Sequence, residues 1–425
     1  MSMSDCFRVE DWPRFIHAEQ KFNDVQVGDI PKHMHDRFDE LAKGRDLCKK
    51  RIAITVGSRG IVNLDLIVKE TVSNLKRLGA IPFIIPAMGS HGGAVAEGQA
   101  ETINLLGITE EAMGAPIVSS MDVDIIGHTE LGLPVYVAKD ALEADGIVVL
   151  NRVKMHTSFR GDYESGILKM MVVGLGKHQG ALTLHGAGFE RMGENIKDIA
   201  TVMLNKIKIL CGVAIVENAY EKTAEVAVIP AERILEEEPK LLRLSKSLMP
   251  RIPYDKVDIL ILRQVGKDIS GDGMDPNITG RYTPHTMKPD YSFIPRITRV
   301  VALDLTEASH GSAIGMGHLD AIPQKFRDKI NFDITYMNAV TATVTNTCKM
   351  PIVTPDVRGT IEVAARTSQV LNPRDLKICI VQDTLHLGNM IVSEPLYNNE
   401  LKQCSVTYHG DFMDMKFDEN GDLLL

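Results

Sequence analysis

The segment 151–189 holds the side chains of this chain that are best suited to acid–base, nucleophilic or metal chemistry. It reads NRVKMHTSFRGDYESGILKMMVVGLGKHQGALTLHGAGF and includes His156, Lys169, Lys177 and His185 among several glycines. Histidine titrates near neutral pH and binds metals, and a desolvated lysine amine is a nucleophile. The segment is therefore the first place to look for a reactive site.

Lys169 lies in the apolar stretch ESGILKMMVV, which predicts a helix opened by Ser165. Partial burial there would lower the pKa of the amine and make it a nucleophile or a covalent anchor. A lysine that extends its amine from a helix edge to water is the structural alternative. His185 alone is equally compatible with a structural role, and neither H-x-x-x-H nor H-E-x-x-H occurs, so a metal here would need donors from outside the protein.

Two further polar residues follow predicted strands. His91 lies in GSHGG, where the glycines allow close approach of a ligand to the backbone, and Arg59 lies in GSRG. Because parallel strands share one carboxyl edge, we expect Arg59 and His91 to open onto the same face, where a guanidinium suits a carboxylate or phosphate. A hydrogen-bonded loop histidine and a solvated surface arginine are the structural alternatives.

The elements that must position these residues read as βα units. The apolar runs RIAITV (51–56) and IPFIIPA (81–87) each precede a glycine-rich loop and a helical pattern, over 64–78 with a Gly79 cap and then up to about Leu106. Further strands are predicted at 117–119, 135–137, 146–151, 209–216 and 225–228, with a helix over 196–206. This alternation predicts an α/β fold with a parallel-rich sheet.

The second half alternates in the same way after a proline-containing stretch at 249–253. Strands are expected at 257–263, 298–305 and 376–382, helices at 319–327, 335–343 and 359–371, and a hairpin system from 403–408 and 414–417 with a turn at Asn420-Gly421. We therefore expect two α/β domains with a cleft between them. They span 1–250 and 251–425.

Composition narrows the function classes. The chain has 425 residues, 44% hydrophobic and 24% charged, with a net charge of −9 and 5% aromatic residues, which disfavours nucleic acid as a partner. The N-terminus lacks a signal-peptide pattern and no apolar run is long enough for a membrane span, so we expect a cytoplasmic protein. The six cysteines form no C-x-x-C pair, which predicts reduced and mostly buried thiols.

Taken together, five of these residues resemble the pattern of the nickel-pincer lactate racemase family in both order and spacing. Sixteen positions separate Lys169 from His185, and the resemblance spans roughly residues 51–189. The matching positions are Arg59 in GSRG, His91 in GSHGG, His156 in KMH, Lys169 in ESGILK and His185 in LHG.

The resemblance implies an isomerase, a racemase or epimerase of 2-hydroxy acids. Lys169 would tether the nickel pincer nucleotide (nickel pyridinium-3,5-bisthiocarboxylic acid mononucleotide), made by cofactor-synthesis proteins, and His185 would bind the nickel. His91 and His156 would be paired acid–base residues on the two faces of the substrate, while hydride passes to and from the cofactor. Arg59 would bind the substrate carboxylate. The domain over 1–250 would then be an N-terminal cofactor-binding catalytic domain, and the one over 251–425 a C-terminal substrate-closing α/β domain.

Two departures from the family pattern concern the substrate. The interval of thirteen positions between His156 and Lys169 is longer than usual, and the GKDI motif that contains Lys267 is followed by an unusual loop with Asp272 and Asn277. Carboxylates and amides bind hydroxyl groups, so these three residues are predicted to bind a longer or polyhydroxylated acid rather than lactate. The glycines of this loop are equally compatible with a turn or hinge.

Two other functions stay open at this point. A member of the same family could bind a small hydroxy acid without catalysis. A hydrolase could use His91 and His156 with an adventitious metal, although no activated serine or cysteine pattern accompanies them. The residues alone leave the oligomeric state undetermined.

Overall fold

The computed structural model describes residues 8–58, 60–283, 287–341, 343–399 and 406–425. Within these ranges the α-helices are Ile30–Ala42, Leu64–Arg77, Ala96–Leu105, Glu110–Met113, Lys139–Leu142, Ile167–Lys169, Lys177–Gly186, Met192–Lys206, Ile234–Leu248, Pro276–Thr279, Gln324–Asp328, Phe332–Thr341, Val357–Thr367 and Glu394–Tyr397, with a π-helical stretch at Met170–Leu175. The strands are β1 (Phe15–Gln20), β2 (Arg51–Val56), β3 (Ile81–Pro86), β4 (Val123–His128), β5 (Pro134–Ala138), β6 (Gly146–Arg152), β7 (Ile209–Glu217), β8 (Thr223–Pro230), β9 (Lys256–Leu262), β10 (Arg296–Ala302), β11 (Ala321–Pro323), β12 (Ile352–Thr354), β13 (Ile378–Val381), β14 (Asn389–Ser393) and β15 (Val406–Met413). The predicted α/β class is confirmed.

One compact unit, Asn23–Met249, is built on a five-stranded sheet in the order β3-β2-β6-β7-β8. The first four strands are parallel, and β8 pairs antiparallel with β7. Helices pack on both faces, so β2 and β3 are buried at every position after the first. Alternate residues therefore enter different cores: Ala53 and Ile85 contribute to one core, whereas Ile54 and Ile84 contribute to the other.

This parallel arrangement determines where the loops of the unit meet. The strands β3, β2 and β6 are neighbours and run in the same direction, so their carboxyl ends lie at one edge. The segments that follow them are 57–63, 87–95 and 153–166. The loops that contain His91 and His156 therefore leave the same edge of the sheet.

The other compact unit contains the described residues before Asn23 and those from Pro250 onward. Its eight-stranded sheet has the order β12-β11-β10-β9-β13-β14-β1-β15, with a parallel part from β12 to β13 and an antiparallel part beyond it. Strand β1 pairs antiparallel with both β14 and β15. The expected assignment of the whole range 1–250 to the first domain is corrected here, because strand pairing holds Phe15–Gln20 in the second unit.

Three local expectations also need correction. Residues 117–119 form one parallel bridge, Ile84 to Ile117, instead of a strand. The helix expected over 319–327 is divided, because residues 321–323 pair with β10 and β12 and the helix begins only at Gln324. In the C-terminal region, β15 pairs with β1, and a bridge from Phe417 to Leu423 encloses the turn at Gly421; the predicted positions 403–405 lie outside the described residues.

Candidate active site

The loop after β3 presents His91 at the surface of the unit. His91 is exposed, and its Nδ1 forms a short hydrogen bond with the hydroxyl of Ser58, which follows β2. This side-chain contact joins the loops that follow the neighbouring strands β2 and β3. Arg59, the predicted carboxylate-binding residue, lies outside the described residues.

The loop after β6 holds His156 through its backbone and its ring. The His156 amide donates to Oε2 of Glu164 at 2.7 Å, and the Ser158 amide donates to His156 Nδ1 at 3.0 Å. Glu164 is buried and also accepts from the Lys246 amine at 2.7 Å, while the imidazole packs on Phe159 with a centroid distance of 4.3 Å. These contacts give the imidazole a defined orientation.

His156 and Lys169 are in direct contact. The distance between His156 Nε2 and Lys169 Nζ is 2.5 Å. Burial, and then the neighbouring positive charge of Lys169, lower the pKa of His156 well below its usual range, so the imidazole is neutral at pH 7.

The helical turn that carries Lys169 is anchored by a buried carboxylate. The Leu168 amide donates to Oε2 of Glu238 at 3.0 Å, and Glu238 is 1% exposed. A Cβ at Gly166 would lie 2.1 Å from Oε1 of the same carboxylate, so only glycine leaves room for it. Ser165 was expected to begin this helix, and the structure corrects that expectation. Ser165 forms a β-bridge with Lys154, and the Glu238 carboxylate accepts the hydrogen bond at the start of the helix.

The same chain segment leads from Lys169 to His185. The helix Ile167–Lys169 passes into the π-helical stretch and then into Lys177–Gly186. A π-helical stretch inserts a residue into the helix and is frequent at functional sites. Its position between Lys169 and His185 changes the direction that each side chain would have along a regular helix.

His185 lies on the exposed side of its helix, with its ring 6.4 Å from that of Phe189. Protein atoms around the imidazole still remove enough water to lower its pKa, and the charge of Lys169 lowers the pKa further. A neutral imidazole has a free lone pair, which metal binding requires. Within the described ranges, however, no cluster of three or more His, Cys, Asp or Glu side chains could hold a metal ion by itself.

Three predicted substrate-binding residues lie in the second unit. The Lys267 amine donates to Asn338 Oδ1 at 2.7 Å, and Asp272 lines a small cavity with apolar neighbours such as Met274. Asn277 is buried in the helix Pro276–Thr279 and accepts from the Tyr282 hydroxyl at 3.3 Å. The Lys267 amine and the Asn277 amide are thus both hydrogen-bonded to residues of this unit, and Asp272 borders the cavity.

Sequence reasoning missed the two carboxylates that support the site. Glu164 directly precedes the SGILK motif, and its position next to that motif was the one local signal that could have drawn attention to it. Glu238 lies seventy positions from its partner Leu168, in a helix rich in surface glutamates, and no local signal distinguishes it. Only the fold brings Glu238 to the start of the Lys169 helix.

Comparison with known proteins gives a family profile and a structural neighbour. The family described as "Domain of unknown function (DUF362)" matches residues 59–232, a range that includes all five candidate residues, Arg59, His91, His156, Lys169 and His185. The chain is similar to the solved structure of the lactate racemase apoprotein from Thermoanaerobacterium thermosaccharolyticum, with a TM-score of 0.54 and 15% identity over 89% of this chain and 94% of that chain. No curated protein sequence matches. The structural likeness shows that the chain has a lactate racemase-like fold.

A membrane span was not expected from the sequence. In the described part of the chain, every helix is too short or too polar to cross a bilayer.

Proposed function

We propose that this protein is a nickel-dependent racemase or epimerase that inverts the carbinol centre of a 2-hydroxy acid. The observation that carries the proposal is the contact between Lys169 and His156 at the carboxyl edge of the sheet, with His185 further along the same helical segment. The lactate racemase-like fold supports the proposal independently of these side chains.

The Lys169 amine suits covalent attachment of a cofactor. The amine lies 2.5 Å from His156 Nε2, beside the loop that follows β6. In its deprotonated form a lysine amine is a nucleophile, which covalent attachment requires. An electrophilic carboxyl derivative on a nucleotide is the kind of group that such an amine attacks.

The donor set around His185 suits a nickel ion whose other ligands belong to the cofactor. His185 supplies one neutral imidazole, and the described residues supply no further cluster of ligands. A pincer nucleotide tethered to Lys169 would provide the remaining donors, and nickel(II) accepts such mixed sets. The residues present fit the nickel pincer nucleotide, with Lys169 and His185 as the residues that hold it.

When bound, this cofactor supplies a reversible hydride acceptor. The chain itself would supply proton transfer: His91 and His156 are the two imidazoles at the sheet edge, and each would exchange the proton of the substrate hydroxyl on its own side. Ser58 orients the His91 ring, and Glu164 orients the His156 loop. Arg59 would bind the carboxylate of the substrate.

The proposed substrate is an acid longer or more hydroxylated than lactate. Lys267, Asp272 and Asn277 are proposed as its further binding groups, and cofactor-synthesis proteins as partners that must act first. The Lys267 amine can donate to hydroxyl or carboxylate oxygens, the Asp272 carboxylate can accept from hydroxyl groups, and the Asn277 amide can do both with hydroxyl groups.

The test is stereochemical. Protein from cells that make the cofactor is incubated in deuterated water with single enantiomers or epimers of a panel of hydroxy and sugar acids. We expect inversion with retention of most of the carbon-bound hydrogen, because that hydrogen leaves and returns as hydride. Lys169→Ala should abolish inversion, while Lys197→Ala, at an exposed lysine of a neighbouring helix, should preserve it. Binding without inversion across the panel would refute the proposal and favour the non-catalytic alternative.

A further inference from the structure

Lys177 is a lysine with no exposure to solvent, in an unusual backbone conformation. It is 0% exposed and has a φ of 52°, in the left-handed region that non-glycine residues rarely adopt. Burying an ammonium group is costly, and left-handed backbone adds to the cost. A residue that carries both costs is held there by its surroundings.

The Lys177 amine donates hydrogen bonds to two oxygens of neighbouring elements. Nζ donates to the carbonyl of Pro86, the last residue of β3, at 2.5 Å and to Oε1 of Gln99 at 3.1 Å. Asp140 acts on this charge through space, and its buried Oδ2 has no hydrogen-bond partner among the described residues. Burial lowers the pKa of Lys177 to about 8.

Gln99 extends this contact to the His91 loop. It is 0% exposed, and its Nε2 donates to the carbonyls of Gly89 at 2.9 Å and of His91 at 3.3 Å. One buried amide therefore accepts from Lys177 on one side and holds the loop backbone on the other. The chain of contacts runs from the amine of Lys177 through Gln99 to the main chain of His91.

Glycines allow the loop and the helical segment to lie this close. A Cβ at Gly174 would lie 2.9 Å from the Ala87 carbonyl, and one at Gly89, where φ is 64°, would lie 2.9 Å from the Val173 side chain. The π-helical stretch between Lys169 and Lys177 thus packs directly on the segment after β3. The hydrogen bonds of Lys177 and Gln99 stabilise this contact between the π-helical stretch and the segment after β3.

We propose that Lys177 is a positioning residue, which acts through Gln99 to hold the His91 loop against the helical segment that carries Lys169 and His185. Its importance for catalysis rests on the proposed function, in which His91 exchanges a proton with substrate. Lys177 itself has no contact with solvent and so touches no substrate.

The test measures the reactivity of His91 in the full-length protein without cofactor. Lys177→Met removes the charge and the donor at similar length, Gln99→Leu removes the amide, and a third protein combines both. Each is treated with diethyl pyrocarbonate, and carbethoxylation of individual histidines is followed by peptide mass spectrometry. His128, an exposed histidine on β4, is the internal reference, and Leu182→Ala, at an exposed position of the Lys177 helix, is the matched control.

We expect His91 to react about three- to tenfold faster in both single variants, because a displaced loop loses the bond from Ser58 to His91 Nδ1, and one hydrogen bond is worth about 1 kcal/mol. The double variant should show no further increase, because both changes break one chain of contacts. His128 should react at an unchanged rate. Unchanged His91 reactivity in the single variants, or effects that add in the double variant, would overturn the proposal.

The proposal stays testable even if one of the variants fails to fold. If Lys177→Met is recovered unfolded, Gln99→Leu alone must still increase the reactivity of His91, and an unchanged rate in that variant refutes the proposal. In cofactor-loaded protein, the positioning role further predicts a lower kcat with the adduct on Lys169 and the nickel content retained. Absence of the adduct from the unaltered protein would instead contradict the proposed function. Failure of the positioning role and failure of the proposed function are therefore distinguishable.

Discussion

The buried charge of Lys177 predicts a specific pH dependence of stability. Its pKa is about 8 in the folded chain, against an ordinary value of 10.5. Between these two values the unfolded chain binds a proton that the folded chain does not, so the free energy of unfolding rises with pH. At 1.36 kcal/mol per pH unit, the contribution is about 3 kcal/mol over the whole window and about 2 kcal/mol between pH 7 and pH 9.5.

The comparison with Lys177→Met isolates this contribution. Groups that titrate in both proteins cancel in the difference between their free energies of unfolding, measured by urea denaturation across that pH range. The unaltered protein should gain about 2 kcal/mol relative to the variant as pH rises from 7 to 9.5. A difference that stays constant with pH would refute the reasoning, because it would mean that the Lys177 amine keeps its ordinary pKa in the folded chain.

Three further predictions concern the supports of the site and the thiols. Glu164→Ala should destabilise the protein by about 2 to 3 kcal/mol in urea denaturation, because it leaves a half-buried amine without its carboxylate. Gly166→Ala should lower the melting temperature, because its Cβ would lie 2.1 Å from a buried carboxylate oxygen, whereas Gly186→Ala, with no atom within 4 Å, should not; equal melting temperatures would contradict the packing described. Cys211, whose pKa burial raises to about 12, should resist iodoacetamide at pH 8 in the native protein while exposed Cys48 reacts, and mass spectrometry of the two peptides checks this.

The parts of the fold that were predictable have strong local signals. The runs RIAITV and IPFIIP are continuous apolar stretches of β-branched residues followed by glycine-rich loops, which is typical of buried parallel strands. The parallel pairing of β3, β2 and β6 places the His91 and His156 loops at one edge, and the sequence predicted such a shared edge for Arg59 and His91. Gly79 ends its helix in the expected left-handed conformation, with a φ of 82°.

The remaining features depend on partners that are distant in sequence. Strand β1 belongs to the second unit because its pairing partners, β14 and β15, lie more than 360 residues away. The short strand β11 has only three residues, too few for an alternation pattern, and parallel neighbours on both sides define it. Glu238 and Gln99 acquire their roles in the same way, through contacts that no local pattern encodes.

The central claim is that Lys169 carries a tethered nickel cofactor. The most direct measurement is the intact mass of the protein purified from cells that make the cofactor, with mass spectrometry of the peptide that contains Lys169 and a determination of bound nickel. We expect a covalent increment of several hundred daltons on Lys169 and nickel bound in proportion to it, both lost in Lys169→Ala. A fully folded protein from the same cells with an unmodified Lys169 and no nickel would contradict it.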